Sequence, residues 1–180
     1  QALIKLRHIA GDAALGKKVE THRDSFVYSG APWDLTVALD LRRQQVKQLV
    51  EPGQINLKHS HGGIVTLEYA IQYLQVMHGH RHPSLRTPNT LRALAALIDV
   101  GLIPRATGEN LRKSYLFIRM LIDGLRMVRG NTKDLVIPPP DSDEFIFLAR
   151  RVGYQTEDWQ AGARHLQTDI EEHMKQNRQF

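Results

Sequence analysis

The residues best equipped for chemistry in this chain stand in a few short segments. Histidines gather at His59-Ser60-His61 and at His78-Gly79-His80-Arg81-His82. In extended backbone, alternate side chains point the same way, so either group could offer imidazoles to one ion. A usable site needs further ligands and an ordered second shell, and no nearby carboxylate pattern or H-E-x-x-H spacing supplies them. The expectation is loop histidines with local hydrogen bonds, and no metal ligand is assigned.

The segment Leu57-Lys58-His59-Ser60-His61-Gly62-Gly63 leads into a helix. Two glycines let the backbone approach a ligand closely, and a helix start presents unpaired N–H groups at the positive end of its dipole. Lys58 adds a mobile charge. On residue types alone, the same residues read more readily as a tight helix entry against a neighbouring element. Along the helix, Glu68, Gln72 and Gln75 form a polar stripe beside the apolar face, placed to bond a neighbouring domain or to face water. Thr66 points to the opposite flank. Several reaction classes lack their residues: there is no G-x-S-x-G, no P-loop, and no carboxylate pair in a glycosidase context. No catalytic residue is assigned.

The elements that must position these groups read as helices throughout. Asp12 caps a short helix with Leu15, Val19 and Phe26 at helical spacing. After Ser29-Gly30-Ala31-Pro32 a second helix runs from Asp34 through Leu35, Ala38, Leu41, Val46 and Leu49, and Glu51-Pro52-Gly53 stops it. Gly62-Gly63 opens the third, with Ile64, Leu67, Ile71, Leu74 and His78 on one face. Thr87 and Pro88 open the fourth, with Leu91, Leu94, Ala95 and Ile98 inward and Gly101 past its end. The fifth is the longest, from about Thr107 to Arg129. Leu111, Tyr115, Ile118, Leu121, Ile122 and Leu125 form its main face. Leu116, Phe117, Met120 and Met127 on the other side predict burial around most of its circumference. Arg112, Arg119 and Arg126 fill the remaining stripe. Past Pro138-Pro139-Pro140, Ser142 caps a short helix ending at Gly153. Thr156 caps the last, which carries Trp159, Ala163, Leu166, Ile170 and Met174. This is an all-α, up-and-down helical bundle of four long helices plus shorter flanking ones. It reads as one domain over 1–180: a lead-in at 1–33, the bundle core at 34–130 and C-terminal helices at 131–180.

Composition fits a folded domain of this kind. The 180 residues are 42% hydrophobic and 24% charged, with no cysteine, so thiol nucleophiles and cysteine-ligated metals are excluded. No apolar run is long enough to span a membrane, and the first residues lack the layout of a signal peptide. A cytoplasmic fragment is the default, and a start at Gln1 rather than Met reads as a piece of a longer protein. The net charge is +5, and 16 of the 24 cations are arginine. The excess lies in the first two thirds, because residues 131–180 carry 9 acidic against 6 basic side chains. Without stacking aromatics or a recognition motif, nucleic acid is the weaker reading of that surplus.

The run Gly62-Gly63-Ile64-Val65-Thr66-Leu67-Glu68-Tyr69-Ala70-Ile71-Gln72 resembles the signature G-G-[IM]-x-D-[IV]-E-[FY]-x-x-Q of the bifunctional glutamine synthetase adenylyltransferase/deadenylylase family. The resemblance extends upstream to Gln1-Ala2-Leu3-Ile4-Lys5-Leu6-Arg7 and Ala10-Gly11-Asp12. Downstream it includes His82-Pro83-Ser84-Leu85-Arg86, Asn89-Thr90-Leu91, Gly101-Leu102-Ile103-Pro104 and Ser114-Tyr115-Leu116-Phe117-Ile118-Arg119, in the family's order. It implies the helical domain that follows the nucleotidyltransferase domain of an enzyme moving AMP from ATP to glutamine synthetase and back. ATP and Mg²⁺ are the implied cofactors. Glutamine synthetase, a PII-type signal protein and the preceding domain in cis are the implied partners. That catalytic domain has a Gly-Ser turn and paired aspartates, which this chain lacks, so alone it is expected not to turn over. Thr66 stands where the family has aspartate, and Ser60 and His61 stand where it has glycine and proline. His78 and His82 fall on family positions, whereas His80 does not.

By that resemblance Lys58, Gly62 and Gly63 are expected to face the nucleotide cleft of the preceding domain. Glu68, Gln72 and Arg119 would then fix the domain contact. The competing classes are a non-enzymatic helical docking module and a weakly basic nucleic-acid-binding bundle. Titration with ATP–Mg²⁺, with glutamine synthetase, and with generic DNA at varied salt separates the three.

Overall fold

Helix signals along the chain are realised almost element for element. The computed structural model describes residues 2–131 and 133–180, so Gln1 of the family-like lead-in lies outside them. After a 3₁₀ turn at Ala2–Lys5, the α-helices are α1 (Ala13–Val27), α2 (Leu35–Leu49), α3 (Ile64–His78), α4 (Thr90–Asp99), α5 (Arg105–Arg129), α6 (Asp143–Arg151) and α7 (Trp159–Gln179). A second 3₁₀ turn at Pro83–Leu85 precedes α4. The expected all-α class holds, and α5 is the longest helix at 25 residues. Among the described residues the sole β-type pairing is an isolated bridge between Asn56 and Val136. No helix of the described residues is long and apolar enough to cross a membrane.

Caps are formed by short polar side chains accepting from backbone N–H groups that lack helical partners. Asp12 accepts from Leu15 N at 2.9 Å and Ser142 from Phe145 N at 3.2 Å, as expected. Two caps differ. Asn89, not Thr87, caps α4 by accepting from Arg92 N at 3.0 Å. Asp158, not Thr156, caps α7 by accepting from Gln160 N at 2.9 Å. Each expected residue instead shapes the turn before the cap: Thr87 accepts from Asn89 N, and the Thr156 hydroxyl donates to Asp158 O.

Contacts divide the chain into two units, one of residues 1–39 with 68–112 and one of 40–67 with 113–180. In the first, Gln75 is almost fully buried, and its Nε2 donates to Leu85 O at 2.6 Å and Thr87 O at 2.8 Å. The amide thus holds the turn that feeds α4. Gln75 accordingly belongs to the interior rather than to a stripe facing water or another domain. Arg86 donates to Gly79 O at 2.8 Å, and its guanidinium sits 5.7 Å from the centre of the Tyr28 ring. Burial raises the Tyr28 hydroxyl above its ordinary value, so the ring meets the cation in its neutral form. Thr90, Ala93, Leu94 and Leu97 are the buried residues of α4. That face is rotated from the expected one, since Ala95 is exposed.

On α1 the buried apolar residue is Val27, packed with Ile4 and Tyr28, and the expected apolar row faces out. Leu15, Val19 and Phe26 are exposed. Polar contacts with the lead-in occupy the other side: Glu20 accepts from His8 N at 2.9 Å, and Arg23 pairs with Asp24 and donates to Leu6 O. Gly16 permits this approach, because a Cβ there would strike the His8 ring. On α2, likewise, Ala38 and Arg42 are buried whereas Leu35, Leu41 and Leu49 are exposed.

In the second unit, α6 packs against Gly124 of α5, where a Cβ would come within 2.7 Å of Val152 Cγ1. Ser114 of α5 is fully buried and bonds His173 Nδ1 of α7 at 2.8 Å. The His173 ring packs on Phe117 at 4.3 Å. These neighbours cover one side only. Leu116, Met120 and Met127 remain exposed, which corrects the expectation of an α5 buried around most of its circumference. Gln75→Ala removes two hydrogen bonds from buried carbonyls and should destabilise the chain by about 2 kcal/mol in urea unfolding.

Candidate functional site

The loop before α3 is built by short-range polar bonds. Asn56 Oδ1 accepts from Lys58 N and His59 N, both at 3.0 Å, and Ser60 Oγ accepts from Asn56 N at 2.8 Å. Asn and Ser are suited to this because their side chains mimic a backbone turn. Flanking the loop, Leu57 N donates to Leu135 O at 2.9 Å and Ile137 N to Ile55 O at 2.7 Å, which ties it to the segment after α5. Arg129 reinforces that segment through ion pairs with Asp134 and Glu144.

Arg42 closes the loop from α2. Its guanidinium donates to His59 O at 2.8 Å, Ser60 O at 3.1 Å and Thr66 Oγ1 at 3.2 Å. Thr66 Oγ1 also accepts from Gly62 N at 3.1 Å. Position 66, where the resembling family carries aspartate, therefore faces a buried arginine and the loop backbone. Arg42 drew no functional expectation, because in sequence it falls among polar residues that read as a solvated face. Its signal was its place one turn after Ala38, the small residue that marks the true inner face.

Gly62 and Gly63 are both buried and are used within the fold. Gly62 has φ of +85°, and a Cβ there would collide with the Met174 carbonyl of α7. Its own carbonyl accepts from Asn177 Nδ2 at 2.8 Å. A Cβ at Gly63 would sit 2.7 Å from Leu57 O. The N–H groups that open α3 are already engaged: Gly63 N with Ser60 O at 2.9 Å, Ile64 N with Leu57 O at 3.0 Å, and Val65 N with Lys58 O at 3.2 Å. A phosphate cradle requires such groups to be free. Of the two readings of this segment, the geometry here matches the tight helix entry.

The remaining candidates lie apart in role. Lys58 is exposed at the loop. Glu68 and Gln72 stand one turn apart on α3; Gln72 is buried, and Glu68 is 4.0 Å from Lys5 Nζ, which itself donates to Thr90 Oγ1 at 2.7 Å. Arg119 is exposed on α5. Asp123, four residues on, pairs with Arg126 at 3.3 Å rather than with Arg119. Beside the helix entry lies an open groove of about 1060 Å³, with Val46, Lys47, Glu51, Glu171, Lys175 and Arg178 among its walls.

Among the described residues no three His, Asp or Glu side chains come together as a metal site. Mg²⁺ is held by carboxylates and phosphates in near-octahedral geometry, so these residues do not fit it. The engaged amides give a nucleotide phosphate no cradle at the α3 entry either. His59 is partly buried, with Nδ1 lacking a hydrogen-bond partner, and burial together with the Lys58 and Arg42 charges holds its pKa below the ordinary value. Burial lowers His173 as well.

These features define an all-α chain whose second unit is organised around a helix entry built on two glycines. The chain belongs to the family described as GlnD PII-uridylyltransferase, whose model matches residues 37–180. It is 36% identical over 154 residues to a bifunctional glutamine synthetase adenylyltransferase/adenylyl-removing enzyme of Mycobacterium bovis, covering 83% of this chain and 15% of that protein. Proteins of the same name from Corynebacterium glutamicum and Mycobacterium leprae are 30% and 34% identical, each over 94% of this chain. They are matched over 17% and 16% of their own lengths. The chain thus spans about one sixth of the curated relatives it matches.

Two outcomes test this geometry. Gly62→Ala should lose more than about 3 kcal/mol, whereas Gly53→Ala, with φ of +80° but open space around it, should lose about 1 kcal/mol. Denaturant unfolding of both variants checks the difference. His59 and His173 bind protons less readily folded than unfolded, so stability is full above the ordinary imidazole value of 6.5 and falls as pH drops below it. Urea midpoints at about pH 7.5 and about pH 5 measure the slope, which His59→Asn should reduce.

Proposed function

We propose that the chain is the helical domain of a glutamine synthetase adenylyltransferase/adenylyl-removing enzyme and supports AMP transfer to and from glutamine synthetase. The observation that carries this reading is the match over 83–94% of the chain to proteins of that name, at 30–36% identity. In this reading ATP and Mg²⁺ are handled by a preceding nucleotidyltransferase domain in cis, a PII-type protein regulates the enzyme, and the setting is the cytoplasm. The chain alone does not turn over, because neither its sequence nor its described residues offer a metal-holding carboxylate set.

The geometry favours contact over nucleotide binding as this domain's contribution. Gly62 and Gly63 shape the entry, while Lys58 is exposed at the loop and Glu68 is part-exposed beside Lys5. Uridylyl transfer is the second reading, favoured by the family description itself. Both move a nucleotidyl group, so the nucleotide and the acceptor separate them.

The test joins this chain to its preceding domain and follows labelled AMP and UMP into glutamine synthetase and PII. The expected outcome is AMP on glutamine synthetase, with the isolated chain inert. Lys58→Ala and Glu68→Ala should each lower that rate by about tenfold. Unchanged rates in both variants would remove these residues from the domain contact, and UMP on PII would replace the adenylyl reading.

A further inference from the structure

We propose that the outward face of α5 and α6 is a docking surface for an acidic, amphipathic helical segment of a partner protein. The inference does not depend on the nucleotidyl-transfer reading. Leu116, Met120 and Met127 of α5 are 40%, 40% and 65% exposed, and at 100° per residue they fall within about 40° of one another. On α6, Phe147 is 56% exposed. The two helices are locked together beside this row, since Gly124 admits Leu148 of α6 and Val152 just past its end. Arg151 Nη2 lies 2.9 Å from Met127 Sδ, and Phe147 stands one turn before Arg151 on the same side of α6. These side chains form an exposed apolar row on the two helices, interrupted on α5 by exposed Asp123, and exposed apolar side chains grouped in this way mark an interaction site.

Charge specifies the partner. Lys113, Arg119, Arg126 and Arg151 accompany the row against two acids: Asp123, paired with Arg126 at 3.3 Å, and Asp143, one turn before Phe147 on α6. Methionine and arginine are favoured at interfaces, methionine because it adapts its shape and arginine because it binds carboxylates bidentately. A helix with leucines on one side and glutamates flanking them matches both features. An isologous pairing of two copies would set this arginine row against itself. A lipid surface would meet Asp123 inside the apolar row, where a membrane-lying helix needs an uninterrupted apolar face.

The test is fluorescence anisotropy of the 180-residue chain with a labelled synthetic peptide of about 18 residues, with leucine and glutamate at helical spacing. A scrambled peptide of the same composition serves as control. The ordered peptide should bind with Kd of about 10–100 μM at low salt and weaken as salt rises. Arg119→Glu with Arg151→Glu should weaken it about tenfold, and so should Met127→Ser with Phe147→Ser, with far-UV circular dichroism unchanged. All four side chains reach the surface, so the variants keep the fold. No binding, equal binding of the scrambled peptide, or unaltered affinity in both variants overturns the proposal. Tight binding to phosphatidylserine vesicles that needs Met127 and Phe147 would replace it with a membrane surface. A dimer in sedimentation that Met127→Ser dissolves would replace it with self-association.

Discussion

The closest constraint in the second unit is the approach of two backbones: Gly62 against the carbonyl of Met174. It works because position 62 has no side chain and takes a positive φ, which an L residue adopts only with strain. Asn177 secures the same spot by donating to Gly62 O, and Arg42 holds the preceding carbonyls from the opposite element. A buried guanidinium is costly to desolvate, so its donors must meet acceptors, and the loop's carbonyls supply them. The start of α3, the end of α7 and the middle of α2 are thereby fixed as one arrangement.

That arrangement also decides what the segment can offer chemically. Each amide that a helix start would present to a phosphate is bonded inside the loop. The double glycine is thus consumed by packing, and Thr66, in the place of the resembling family's aspartate, serves the same internal network. What the chain leaves at its surface includes Leu15 of α1, Leu35, Leu41 and Leu49 of α2, and Leu116, Met120 and Met127 of α5.

Legibility varied with the range of the forces involved. Caps at Asp12 and Ser142, the glycines closing α4 and α5, and the existence of every α-helix were readable, because each depends on a few adjacent residues. Which face of a helix turns inward was less readable. On α1 the expected apolar row faces out because Glu20 and Arg23 bond the lead-in, and on α2 an arginine is buried beside Ala38 while the leucines are exposed. On α4 the buried face is rotated, and on α5 one side stays open. Gln75 was visible as part of a polar stripe, yet its bonds run to carbonyls ten and twelve residues away.

By itself, the sequence determined the helical class, the turn positions, the absence of thiol chemistry and, through the run from Gly62 to Gln72, the family resemblance. These follow from local backbone preference and from residue identity. Only the tertiary structure decided that the glycines face α7, that the α3 amides are taken, and that α5 leaves an apolar row beside its arginines. Those outcomes depend on atoms brought together from distant segments, where burial and hydrogen-bond satisfaction override the pattern along any one helix.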